Sequence, residues 1–113
     1  MKYETQAVEN VLIISIEGEI MGGADEQIFR QLIFDSIQDD ILNVVVDLEK
    51  ATWMNSSGLG MLISGLTTLR SSGGDLCLVK ASERIRRPIE ITKLNTVFSF
   101  YNSIDEATKS FNN

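Results

Sequence analysis

The chain has no histidine, and only one cysteine, one proline and one tryptophan among its 113 residues. Without histidine there is no Ser-His-Asp or Cys-His catalysis, and the commonest metal ligand is missing too. The lone thiol, Cys77, can close no intramolecular disulfide, and in the apolar stretch around it the residue reads as part of a core. Positive charge is also scarce. Ten Lys and Arg stand against sixteen Asp and Glu, a net charge of -6 with a pI near 4.5. Such a chain repels phosphate backbones and anionic lipid at long range, so direct nucleic-acid binding is not expected. No apolar run approaches the ~18 residues that span a bilayer, and the opening MKYETQAVEN holds no hydrophobic signal core. The expectation is a cytoplasmic protein without membrane insertion.

What is present is ordinary for a globular protein: 43% hydrophobic and 23% charged residues. A chain of this length buries roughly 60 to 70% of the surface its unfolded form exposes, enough for one core without a large internal cavity. There is no internal repeat, linker or low-complexity tract, so residues 1–113 are read as a single domain.

Tyr3 to Val8 and Val11 to Glu17 are β-type runs separated by Glu9-Asn10, the spacing of a tight hairpin. From about Asp25 to Gln38 the residues Ile28, Leu32 and Ile33, extended by Phe29 and Ile37, repeat at helical spacing. Asp25 and Glu26 suit the positive end of that helix. Leu42 to Leu48 is short and mostly apolar, as a strand covered on both faces would be, and is expected at the centre of the sheet. From Gly58 to about Arg70, the residues Leu59, Leu62, Ile63, Leu66 and Leu69 form a second helical stripe, stopped by Ser71 to Gly74. Asp75 to Lys80 is a further strand. A helix beginning near Ser82 takes in Ile85, Ile89 and Ile91 and ends by Leu94-Asn95, with Pro88 either in the first turn of a later start or at a bend. Val97 to Tyr101 can add an edge strand, and Ser103 with Glu106 reads as a capping box opening a last helix through Phe111. The fold class is therefore α/β: a mixed central β-sheet opening with a hairpin and packed with about four helices.

The chemistry concentrates in Thr52 to Leu62. Asn55, Ser56 and Ser57 precede a helix, where side-chain oxygens accept orphan N–H bonds worth about 1 kcal/mol. The order of residues is wrong for a nucleophile elbow, and no Gly-Lys-Ser/Thr follows to make a phosphate cradle. Asp47 ends the central strand as a phosphoacceptor aspartate would, yet no acidic pair follows the first strand to hold magnesium. Two readings remain open on the residues alone: a cap and nothing more, or a cap that also carries a modifiable hydroxyl. A phosphate there would meet the positive end of the helix dipole, and its charge of about -1.5 to -2 would disturb any partner docked on the neutral serine. With the leucines turned inward, the other side of the helix carries Ser57, Gly60, Ser64 and Thr68, flanked by Met61 and Gly65, with no Lys or Glu before Arg70. Small residues let a partner backbone approach, and an exposed methionine would give adaptable apolar contact. Arg84, Arg86 and Arg87 form a cationic cluster better read as a solvated helix face than as an anion site.

Val45-Val46-Asp47-Leu48 followed by Thr52-Trp53-Met54-Asn55-Ser56-Ser57-Gly58-Leu59-Gly60 resembles the signature of STAS domains, named for sulfate transporters and anti-sigma factor antagonists. The likeness extends to Gly18-Glu19-Ile20, to Ser71 to Gly74, to Ile91 to Phe98, and to Ser103 to Ala107. It implies a four- or five-stranded sheet with helices, no enzymatic activity and no cofactor. It further implies partner switching: an anti-sigma factor antagonist that binds an anti-sigma factor, a serine kinase, and so controls sigma-factor-dependent transcription. On this resemblance Ser56 is the phosphorylated residue and a cognate phosphatase restores it. The partner-binding surface would comprise Met21, Gly22, Gly23, Asn55, Ser56, Ser57, Gly60, Met61 and Ser64. Asn55 departs from the family, which has an aspartate there. The alternative within the resemblance is a stand-alone STAS subunit of an ABC-type lipid transport system.

Overall fold

Glu9 and Asn10 both adopt positive φ, 50° and 64°, the left-handed pair that a two-residue hairpin turn requires. They join β1 (Lys2–Val8) to β2 (Val11–Ile20), antiparallel and in unbroken register from Lys2 opposite Glu17 to Val8 opposite Val11. The computed structural model describes residues 1–111. After the hairpin come α1 (Ala24–Gln38), β3 (Asn43–Asp47), β4 (Ala51–Met54), α2 (Ser56–Ser71), β5 (Asp75–Val79) and α3 (Glu83–Ile91). A 3-10 turn (Leu94–Thr96), β6 (Ser99–Tyr101) and α4 (Ile104–Ser110) follow.

The strands lie in the order β1-β2-β3-β5-β6, all parallel neighbours except the hairpin, and β4 pairs with the far end of β2. The mixed sheet with four α-helices is as expected, but it has six strands rather than four or five. The central β3 is buried on both faces, because its valines alternate. Val44 and Val46 join Ile14, Ile16, Leu76 and Leu78 beneath Phe29 and Ile33 of α1, the leucines of α2, and Ile85 and Ile89 of α3. Val45 turns the other way, with Ile13, Cys77 and Val79, toward Ala107 of α4. Each aliphatic side chain so buried contributes roughly 1.5 to 3 kcal/mol. Burial in this second cluster pushes the Cys77 thiol up to about 12, with Asp75 adding to the effect, so the group stays neutral and inert.

Several boundaries differ from the sequence expectation. β2 continues three residues past Glu17, and β4, which periodicity did not predict, occupies Ala51–Met54. α2 begins at Ser56, two residues before Gly58. α3 starts at Glu83 with Ser82 as its cap residue and contains Pro88 in its interior. It ends at Ile91 rather than Leu94, because Lys93 takes φ 61° and breaks the helical path. Ile91, read as part of this helix, is its last residue and is 73% exposed, while Ile85 and Ile89, four residues apart, set the buried side. The Ser103 cap is as expected, its Oγ accepting from the Glu106 N–H at 3.1 Å.

Candidate partner-docking site

The site is built where β2 and β4 end side by side. Glu19 stands opposite Trp53 and Ile20 opposite Met54, after an irregularity in register that begins at Gly18, whose φ is 82°. The Asn55 N–H then donates to the Ile20 carbonyl at 3.2 Å, tying the entry of α2 to the exit of β2. Asn55 caps the helix, its Oδ1 accepting from the Gly58 N–H at 2.8 Å, while its own carbonyl accepts from the Leu59 N–H at 3.0 Å. No Cβ fits at Gly58, because it would strike the Ile20 carbonyl oxygen. Gly22, with φ 74°, lies so close to Ser57 that an added Cβ would come within 2.7 Å of the serine's Cβ. Met21 to Gly23 and Asn55 to Ser57, read as one surface from sequence, are therefore adjoining in space.

Their exposures differ. Ser56, Ser57, Gly60 and Gly23 are exposed, Asn55 and Ser64 are half-buried, and Gly22 is buried under Ser57. Met21 is 45% exposed. Met61 is a correction: expected on the outer side of α2, it is only 2% exposed and belongs to the main core. α1 crosses α2 there. A Cβ on Gly65 would come within 2.6 Å of Phe29 Cε2, so the small residues on that flank make room for α1 rather than for an external partner. The seam between the two helices, lined by Phe29, Met61, Ser64 and Gly65 among others, holds a cavity of only about 10 Å³. The outward face of α2 is narrower than the sequence implied, running from Ser56 and Gly60 to Thr67.

Ser56 and Ser57 are the first two residues of α2, and their N–H groups have no intrahelical acceptor within reach at that position. No acidic residue lies in the first turn. A dianionic group on Ser56 would thus meet two donors and the positive end of the helix, an interaction of roughly 0.3 to 1 kcal/mol at an exposed site. The cap oxygen of Asn55 is turned to Gly58, a task an aspartate would perform with the same atom. An aspartate in place of Asn55 would therefore change the charge and leave the cap geometry intact.

Other polar clusters are engaged elsewhere. Asp47 accepts from Ser15 Oγ at 3.2 Å and from the Glu49 N–H at 3.1 Å. Of the three arginines on α3, Arg86 lies 3.7 Å from Glu90 and stacks 4.6 Å from the Phe100 ring centroid, while all three remain exposed to solvent. Among the described residues no group of three or more His, Cys, Asp or Glu is placed to hold a metal ion, and no helix is long and apolar enough to cross a membrane.

A sheet that opens with a hairpin, with β4 delivering Asn55-Ser56-Ser57 to the start of a helix, is the arrangement of a STAS domain. The STAS domain model matches residues 2–107, and the chain belongs to that family. It is 31% identical over 104 residues to a provisionally named anti-sigma factor antagonist of Thermotoga neapolitana, with 88% of each chain covered. A crystal structure of an anti-sigma factor antagonist from Mycobacterium paratuberculosis superposes with a TM-score of 0.83 at 25% identity, covering 99% of this chain and 94% of that one. The phosphorylated form of the Bacillus cell fate determinant SpoIIAA shares the fold with a TM-score of 0.74 at 20% identity, covering 96% and 98%.

Trp53 belongs to the signature-like stretch but was not placed on the partner-binding surface by the sequence. It is 38% exposed in β4, three residues before Ser56, and the only signal for its exposure was an aromatic residue in a stretch too short to show a period.

Proposed function

We propose that this chain is an anti-sigma factor antagonist acting in the cytoplasm as one STAS domain, without enzymatic activity of its own. Its partner is an anti-sigma factor of the serine-kinase class, bound through Met21 to Gly23, Asn55 to Ser57, Gly60 and the exposed edge of Ser64. Binding frees a sigma factor, phosphorylation of Ser56 ends binding, and a cognate phosphatase reverses the modification. The observation that carries this reading is the placement of Ser56: exposed, first in a capped helix, and beside the closely fitted Gly22–Ser57 contact. Names of relatives support it, since two of those compared are anti-sigma factor antagonists by name and SpoIIAA exists in a phosphorylated form.

The switch follows from electrostatics. In the unmodified chain Asn55, Ser56, Ser57 and Gly60 carry no charge, so a partner can cover them. A phosphate adds about -1.5 to -2 charge that the partner must then desolvate. A penalty of ~3 kcal/mol lowers affinity by more than a hundredfold. The test is binding of the full chain to each purified serine-kinase anti-sigma factor of the same genome, in parallel with phosphopeptide mapping. Ser56→Asp is expected to bind at least ~100-fold more weakly than wild type and Ser56→Ala about as well. Equal affinities for the two variants, or phosphate found only at another residue, would overturn the reading. Stable association with a transporter ATPase and indifference to Ser56→Asp would replace it with the lipid-transport alternative.

A further inference from the structure

Along β4 the burial runs Ala51 in, Thr52 out, Trp53 out, Met54 in, which no regular strand produces. Strict alternation from Ala51 would bury Trp53 and expose Met54. The register irregularity opposite Gly18 reverses this: one extra residue on β4 swings the tryptophan to the surface and the methionine into the core, where it is 2% exposed. The same irregularity thus seats Met54 in the core and leaves the indole ring 38% exposed. Bulges of this kind are found beside functional sites, where they re-aim a side chain.

Resting on the function proposed above, we infer that Trp53 is the apolar anchor of the docking surface, held by the β4 bulge so that the anti-sigma factor closes over it. Among the described residues five large apolar side chains are exposed: Tyr3, Met21, Phe34, Trp53 and Ile91. Two of them border the proposed surface: Trp53 lies in β4 three residues before Ser56, and Met21 directly follows Ile20, the last residue of β2, which pairs with Met54. Its rim is acidic. Glu19 lies opposite Trp53 in the ladder and is exposed, and neither Gly18 to Phe29 nor Ala51 to Leu69 contains a Lys or Arg. The matching partner surface is an apolar side chain seated against the indole with a Lys or Arg beside it to meet Glu19. An arginine can also stack on the ring. Interface anchors are drawn from tryptophan more than from most residues, and they work where surrounding contacts exclude water.

The experiment is calorimetric titration of the full chain with whichever purified serine-kinase anti-sigma factor binds wild type. Trp53→Ala is expected to weaken binding by at least about tenfold. Trp53→Phe should restore most of it, and Glu19→Lys should weaken binding and reduce its dependence on salt. Because Trp53 is the sole tryptophan, its emission should move to shorter wavelength as the complex forms. Trp53→Ala binding within twofold of wild type, or emission unchanged at saturation, overturns the inference while leaving Ser56 switching intact. If Trp53→Ala does not fold, the emission shift of wild type and the Glu19→Lys titration still decide. Binding of no such kinase by wild type sinks this inference together with the function it rests on.

Discussion

Helix α2 has an inner side and an outer side that use the same residue for opposite ends. Within, Gly58 gives way to the Ile20 carbonyl and Gly65 to the ring of Phe29. Outside, Gly60 has nothing within 4 Å of where its Cβ would be. The inner glycines are demanded by close packing of β2 and α1 on the helix. The outer one weakens the helix by up to about 1 kcal/mol relative to alanine and gains no internal contact in return. Cost without internal benefit on one side only is what a surface shaped for something else would show.

Replacing each glycine with alanine breaks or sharpens that contrast. Gly58→Ala has the largest expected effect. A backbone carbonyl cannot rotate away, and moving α2 strains the Asn55–Ile20 hydrogen bond as well. Overpacking against backbone should cost ~3 kcal/mol or more, a fall in melting temperature of over ~12 °C for a domain of this size. Thermal melts by circular dichroism read it directly, and a change of a degree or two would mean that α2 is not seated on β2 as described. Gly65→Ala meets a side chain instead. The expected loss is ~1 to 2 kcal/mol, and Phe29→Leu in the same chain should recover part of it, a coupling measurable by a double-mutant cycle. Additive losses would show that the α1–α2 seam can open independently of the ring. Gly60→Ala is the smallest in stability and opposite in sign. It should raise stability by ~0.5 to 1 kcal/mol while weakening anti-sigma factor binding. Destabilisation at position 60 would erase the distinction between the two sides.

Much of the fold could be read from local pattern. The hairpin followed from Glu9-Asn10 between two β-type runs, the buried β3 from three successive valines, and the buried stripe of α2 from Leu59, Leu62, Leu66 and Leu69, all within the core. What was misread has a common cause. Met61 and Gly65 look like an outer flank on a helical wheel, which knows where the leucines point but not that α1 crosses beside them. β4 is four residues long, too short for alternation to register, and the bulge in it hides the period that remains.

The sequence by itself determined every α-helix and strand but β4, the hydrophobic layers and the capped serine at the start of α2, because those depend on periodicity and on contacts between residues a few positions apart. Only the tertiary structure decided which flank of α2 lies under α1, that Gly22 presses on Ser57, and that Trp53 faces water. Each of these rests on the relative placement of segments some thirty residues apart, and one extra residue in a paired strand is enough to reverse the direction of a side chain.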